Sequence, residues 1–253
     1  MKDVKAIVVD LDRTLLRSDK TISEYTVEIL KRCKSNSIKI MIATARPMRD
    51  TIKFYESVGF DAMTVSNGAR IICTERKIEY GISKESADGV LRALENCPDL
   101  RITLETGDRA YSNKPIEDYE TTVSGDLRKI AEEEGVLKLL VHMDNDNVLP
   151  TVEKALTSDL YYTVAHGYMI QIMNKCATKW NGVRTMLEMH RCPLGKTVYF
   201  GDDCDDIEPI KMCGAGVAVS NAVDCVKNVA DHITRSNDED GVARFIEENF
   251  LYK

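Results

Sequence analysis

Five short runs of this chain are apolar at nearly every position: Ala6–Val9, Ile38–Ala43, Ala62–Val65, Val198–Phe200 and Ala215–Val219. A strand with one wet face alternates polar and apolar residues. Continuous runs belong to strands covered on both faces, the habit of parallel sheets flanked by helices. Helical spacing fills the gaps between the early runs. Ile22, Thr26, Ile29 and Cys33 share one stripe over Ser23–Asn36, with Ser23 as the cap. Pro47–Ser57 reads as a second helix, with Pro47 in the tolerated first turn and Gly59 near the stop. This βαβαβ order predicts an α/β fold with a parallel sheet and right-handed crossovers.

The middle of the chain changes character. Arg101–Glu105 and Arg109–Tyr111 flank Thr106-Gly107-Asp108, a hairpin signal, and Tyr161–Ala165 and Tyr168–Met173 flank His166-Gly167, a second one. Between them lie a helical Gly125–Glu134 and a strand Leu137–Met143. After Lys175 the first pattern returns, with helices over Thr178–His190, Asp206–Met212 and Asp238–Asn249 around strands Thr197–Phe200 and Ala215–Val219. The reading is one α/β core, residues 1–80 and 174–253, interrupted by an α+β insert, residues 81–173.

In open parallel sheets, ligands bind at the carboxyl ends of strands. Asp10 and Asp12 follow the first run and, in an extended chain, point to one side about 7 Å apart. Carboxylates that close repel unless a cation joins them or one is protonated; a hard Mg²⁺ suits oxygen ligands, and the bland alternative is that the two acids only solvate a strand end. Thr44-Ala45-Arg46 follows the second run, where a hydroxyl and backbone N–H groups suit an anion, or where Thr44 simply caps a helix. Lys179 opens a helix behind Thr178, the unfavourable end for a cation, which points to an anionic partner or to a solvated lysine. Asp202, Asp203, Asp205 and Asp206 crowd the end of Val198–Phe200. A helix N-terminus welcomes one or two of these acids; all of them together call for a cation.

Composition removes several classes. The net charge is −7 with a pI near 5.3, so no basic stripe exists for nucleic acid or for an anionic membrane. The eight cysteines form no Cys-x-x-Cys pair, against a zinc knuckle or a thioredoxin-type site. The N-terminus is charged too early for a signal peptide, and no run approaches the roughly 18 apolar residues of a membrane helix. Reduced thiols and a cytoplasmic protein are expected.

Taken in order, these segments resemble the haloacid dehalogenase superfamily of phosphohydrolases, and more narrowly its Cof-type sugar phosphatases with a C2B cap. Asp10-Leu11-Asp12-Arg13-Thr14 resembles the first family motif, Thr44-Ala45-Arg46 the second, Lys179 the lysine of the third, and Gly201-Asp202-Asp203-Cys204-Asp205-Asp206 the fourth. Ser66-Asn67-Gly68-Ala69 is similar to the family's Asn-Gly-Ala at the cap entrance. Gly216–Ala222 and Ser236–Ala243 are similar to its C-terminal segments. The resemblance implies a Rossmann-like core and an inserted cap. It implies a phosphatase of small phosphorylated metabolites, with sugar phosphates foremost, acting through an aspartyl phosphate. Asp10 would be the nucleophile and Asp12 the general acid and then base. Asp10, the Asp12 carbonyl and Asp202 would hold Mg²⁺. Thr44, the N–H groups of Leu11 and Ala45, and Lys179 would hold phosphate, with Asp205 and Asp206 in support.

Four positions depart from the usual pattern. Arg13 replaces a glycine, and its charge is expected to reach the phosphate or the cap. Ala45 replaces a glycine and keeps the N–H. Asp203 replaces a glycine and is expected to tolerate a left-handed backbone. Asp205 replaces the usual asparagine, and its charge would repel phosphate unless it faces the metal or is protonated.

A phosphosugar mutase and a non-catalytic phosphosugar-binding regulator are the alternatives; the chain is too long for a receiver-type signalling domain. Substrate choice is expected on the cap, around Arg109, Tyr111, His142 or His166. His142–Asn147 has a calcium-loop look, but Val148 and Leu149 stand where an EF-hand needs its next ligand and glycine, so it reads as a polar turn. Oligomeric state is not legible.

Overall fold

The computed structural model describes residues 3–73, 76–95, 97, 100–117, 119–143, 148–165 and 167–251. It divides into two compact units, Met1–Arg46 with Asp50–Ile78 and Thr178–Lys253, and Pro47–Arg49 with Glu79–Ala177. His166 and the Asp144–Asn147 turn lie outside the described residues.

The chain starts with β1 (Ala6–Val9), α1 (Glu24–Ser35), β2 (Lys39–Ala43), α2 (Met48–Val58) and β3 (Ala62–Val65). Ser23 caps α1 by accepting the Thr26 N–H. Two further strands follow, β4 (Arg70–Cys73) and β5 (Arg76–Glu79). The inserted unit holds α3 (Lys84–Leu94), β6 (Arg101–Glu105), β7 (Ala110–Ser112), β8 (Thr122–Val123), α4 (Leu127–Glu134), β9 (Lys138–His142), α5 (Val148–Ala155), β10 (Leu160–Ala165) and β11 (Met169–Asn174). The first unit then resumes with α6 (Lys179–Met189), β12 (Thr197–Gly201), α7 (Ile207–Met212), β13 (Ala215–Val219), α8 (Asp224–Lys227), β14 (His232–Thr234) and α9 (Gly241–Ile246).

The first unit is an α/β structure on one sheet of order β14-β13-β12-β1-β2-β3-β4-β5. From β14 to β3 neighbours run parallel, and β4 turns back antiparallel on β3. The expected parallel core is therefore present, extended by an antiparallel edge. β1 sits between β12 and β2, with Val9 opposite Phe200 and Ile42. Every residue of β1, β12 and β13 is buried, as their unbroken apolar sequences require.

The second unit is a six-stranded sheet, β10-β11-β9-β6-β7-β8, antiparallel except for the β7–β8 pair. Period-two alternation gives it one apolar face: Ile102 and Leu104, Leu139 and Val141, and Ile170 and Ile172 join Val90, Leu91 and Leu94 of α3 in one buried cluster.

The closing helix starts later than the sequence pattern suggests and continues beyond Ile246 as a π-helical turn over Glu247–Leu251. A tight turn at Asn237–Glu239 is followed by Asp240 with φ 57°, and α9 begins only at Gly241. Asp240 is held in that conformation by its side chain, which accepts from Arg17, Ser23 and Thr26. Those bonds tie the loop before α1 to the end of the chain, and helical periodicity cannot register them.

Candidate active site

Asp10, Thr44 and Asp202 occupy equivalent places, each the first residue beyond a strand end: β1, β2 and β12 respectively. Since β1 lies between the other two, the strand order brings all three segments to one edge of the sheet. Beyond β1 the chain makes a tight turn over Leu11–Leu15, closed by the Leu16 N–H on the Leu11 carbonyl at 2.8 Å.

Lys179 is the hub. Its Nζ lies 3.0 Å from Asp10 Oδ1, 3.0 Å from Asp205 Oδ1 and 2.7 Å from Asp206 Oδ1, and the lysine is 4% exposed. Its position depends on Gly68. This residue has φ +98°, and a Cβ there would come within 2.1 Å of the carbonyl oxygen of Thr178, the cap of α6. Only glycine lets the Asn67-Gly68 turn seat the first turn of that helix.

Asp206 organises the other wall. Its Oδ1 accepts from Lys179 and from the Tyr199 hydroxyl at 2.6 Å, and its Oδ2 accepts the N–H groups of Asp202 and Asp203 at 2.9 and 3.1 Å. A Cβ at Gly201 would meet the Asp206 carboxyl carbon at 2.5 Å, so this folding-back also needs a glycine. Asp202 accepts from Thr14 Oγ1 at 2.8 Å. Asp10, Asp202 and Asp206, all buried, present carboxylate oxygens within 4.8 Å of one another.

One ammonium therefore faces several carboxylates. Burial works against charge on Lys179, yet Asp10, Asp205 and Asp206 hold its pKa well above the usual value. Burial pushes the Asp10 carboxyl well above the carboxylate range, with Lys179 opposing and the neighbouring acids reinforcing. Burial and the Asp206 charge push Asp202 up to about 7. These directions agree if the cluster carries surplus negative charge, which a divalent cation would relieve. Asp206 already has donors on both oxygens, so Asp10 and Asp202 are the side chains better able to offer lone pairs to an ion. The donor set is all oxygen, which fits Mg²⁺.

Asp12 faces elsewhere. Its carboxylate takes a bidentate pair from Arg46 at 2.6 and 2.7 Å and a further bond from Lys20 at 2.8 Å. Burial alone would raise its pKa, but these bonds outweigh it and take the group down to about 2. Arg46 and Lys20 are site residues that the motif reading left without a role. Arg46 stood inside a quoted motif, whereas Lys20 had no signal.

Thr44 is buried, and its Oγ1 accepts the Arg46 N–H at 3.2 Å. It is not the cap of α2, which begins only at Met48. Leu11 is buried and Ala45 exposed, in the turns after β1 and β2.

Three positions that depart from the usual pattern have partners here, and one of them, Asp203, corrects its expectation. The Arg13 guanidinium donates to the Asn221 carbonyl at 3.1 Å and lies 3.8 Å from Asp202, while its φ of 58° shows why glycine would suit the position. Asp203 has φ −119°, ordinary extended backbone, and uses its carboxylate to accept the Cys204 N–H at 2.7 Å. Asp205 is not among the grouped Asp10, Asp202 and Asp206 carboxylates; Lys179 and the Asn67 amide, 3.2 Å away, contact it, and burial raises its pKa.

In the inserted unit, Arg109 donates to the Tyr111 hydroxyl at 3.0 Å, and both contact Glu134. His142 stacks with Tyr168 at 6.4 Å between ring centroids.

Known proteins are similar to this chain over nearly its whole length. The family model for haloacid dehalogenase-like hydrolases matches residues 7–246. The 5-amino-6-(5-phospho-D-ribitylamino)uracil phosphatase YitU of Bacillus subtilis is 30% identical, over 96% of this chain and 97% of its own. Among solved structures, phosphatase BT1666 of Bacteroides thetaiotaomicron superposes with a TM-score of 0.86 at 23% identity, covering 97% of this chain and 94% of that one. TM0651 of Thermotoga maritima gives 0.86 at 23% identity, covering 97% of each chain.

Proposed function

The chain belongs to the haloacid dehalogenase-like hydrolases and is a phosphoric monoester hydrolase, and from that premise we propose a Mg²⁺-dependent phosphatase of small phosphorylated metabolites, with Asp10 as the nucleophile. The observation that carries the proposal is the Lys179 ammonium 3.0 Å from Asp10 Oδ1, beside the Asp202 and Asp206 carboxylates. It leaves a carboxylate at a strand end between a fixed cation and a second acid.

Asp10 would attack phosphorus and form an aspartyl phosphate while Asp12 gives a proton to the leaving oxygen. Asp12 would then take a proton from the water that hydrolyses the acyl phosphate. To give that first proton Asp12 has to leave Arg46 and Lys20, which hold it ionised at rest, and take up a proton from solvent. Thr44, the N–H groups of Leu11 and Ala45, and Lys179 would position the phosphoryl oxygens. Asp10, the Asp12 carbonyl and Asp202 would hold Mg²⁺, which when bound neutralises charge on those oxygens.

The inserted unit, residues 79–177, is assigned substrate selection. The substrate class we favour is a sugar or sugar-alcohol phosphate, because the relative at 30% identity is named for a 5-phosphoribityl ester. A cytoplasmic setting fits eight free cysteines. No helix among the described residues is long and apolar enough to cross a membrane.

The test is turnover of p-nitrophenyl phosphate and a panel of sugar phosphates, with and without Mg²⁺, beside Asp10→Asn. Metal-dependent phosphate release that the variant lacks supports the reading. Equal release by wild type and variant would remove Asp10 from the chemistry.

A further inference from the structure

Two cysteines stand together beside the acidic turn. Cys204 opens the tight turn Cys204–Asp206, and Cys225 lies in α8. Both are exposed, and their sulfurs are 3.3 Å apart. A disulfide needs about 2.05 Å, so closure asks for about 1.3 Å of travel. The backbone holds the pair in place: the Val223 N–H donates to the Asp202 carbonyl at 2.9 Å, a tie two residues before each cysteine. The neighbours of Cys204 serve the acidic cluster. Asp203 donates its N–H to Asp206, and Asp205 pairs with Lys179.

We propose that Cys204 and Cys225 form a reversible modification site, a dithiol that low-molecular-weight disulfides oxidise to an intramolecular disulfide, which clamps the Asp202–Asp206 turn to α8 and slows turnover. Both thiols are exposed, so either can lead the attack, and the steps are the same with Cys225 first. Cys225 breaks the S–S bond of the oxidant, forming a mixed disulfide and releasing one thiol that carries the cysteine's proton. Cys204 then attacks Cys225 Sγ, releasing a second thiol with its own proton. Two cysteine thiols are oxidised and one external disulfide is reduced to two thiols. The turnover part rests on the phosphatase reading; the covalent part does not.

The experiment equilibrates the reduced full-length chain with set ratios of oxidised to reduced glutathione, traps free thiols by alkylation, and maps disulfides in non-reducing digests by mass spectrometry. The same samples are assayed with p-nitrophenyl phosphate and Mg²⁺. The expected result is a Cys204–Cys225 cross-linked peptide that forms at a lower oxidant fraction than glutathione addition at the exposed Cys176. Turnover should fall at least about threefold in step and recover with dithiothreitol. Cys225→Ser should keep the reduced wild-type rate and ignore the oxidant. Separate glutathione adducts on the two cysteines, or full cross-linking with unchanged turnover, would overturn the proposal. A chain inert even when reduced counts against the phosphatase reading alone, because the peptide map still decides the disulfide.

Discussion

Asp205 Oδ1 stands 3.0 Å from Lys179 Nζ, the same distance that separates this nitrogen from Asp10. The carboxylate thus draws on the ammonium that a phosphate ester would need. Asp205→Asn keeps the shape and removes the charge. About 1 kcal/mol of relieved repulsion corresponds to roughly fivefold tighter phosphate binding. The expected outcome is a KM for p-nitrophenyl phosphate, and a Ki for inorganic phosphate, lowered by that factor. Unchanged values would show that Asp205 is electrically silent toward substrate.

The Arg46–Asp12 pair makes a pH-dependent prediction. A carboxyl held at about 2 contributes stability above its unfolded pKa and loses it as pH falls toward 2. Arg46→Met should therefore lower the thermal midpoint at pH 7, and the gap to wild type should shrink as pH drops below about 3.9. Asp12 would then titrate at higher pH, so the acid limb of kcat/KM should move upward. A gap that is constant with pH would mean that Arg46 stabilises by packing alone.

Asp202, pushed up to about 7, makes a prediction for the proposed metal. The sign is opposite to that of Asp12. The folded metal-free protein keeps a proton that the unfolded chain loses above about 3.9, so this group subtracts stability as pH rises toward 7. A cation that replaces the proton restores it. Mg²⁺ should raise the melting midpoint more at pH 8 than at pH 5.5, with proton release on binding below pH 7. Calorimetry in buffers of different ionisation enthalpy reads the protons directly, and binding without release at pH 6 would contradict the assignment.

Gly68→Ala forces a methyl onto the Thr178 carbonyl at a positive φ. The expected loss is roughly 2–4 kcal/mol in urea unfolding. kcat should fall as well, because the first turn of α6 carries Lys179. A folded variant with normal kcat would show that the turn does not position the lysine.

Arg13→Gly should behave in the contrary way. Relief at φ 58° offsets the lost bond to Asn221, and a cation 3.8 Å from Asp202 disappears. Stability should stay within about 0.5 kcal/mol. Mg²⁺ affinity, read by titration calorimetry on the free protein, should rise; a fall would mean that Arg13 helps to hold Asp202 in place.

Asp10, Lys179 and Asp202 were legible because each follows or opens an element whose type shows in local periodicity. β4 and β5 were not: Arg76–Glu79 has no alternation of burial to display, being largely exposed. The break before α9 was hidden because Asp240 is fixed by side chains more than 200 positions away in sequence. Asp203 misled because a residue type that tolerates left-handed backbone does not show whether the chain adopts it. The partner of Asp205 depended on a side-chain direction, which sequence spacing leaves open.

Asp206 accepts from Lys179, Tyr199 and two backbone N–H groups. Those bonds draw the ends of three elements together. A cradle tied by its own hydrogen bonds needs no rearrangement to take up the proposed Mg²⁺, so exchange would be governed by how fast that ion sheds water. A batch stripped by a chelator should regain its full rate on re-addition within the dead time of hand mixing, with no lag that a refolding step would impose.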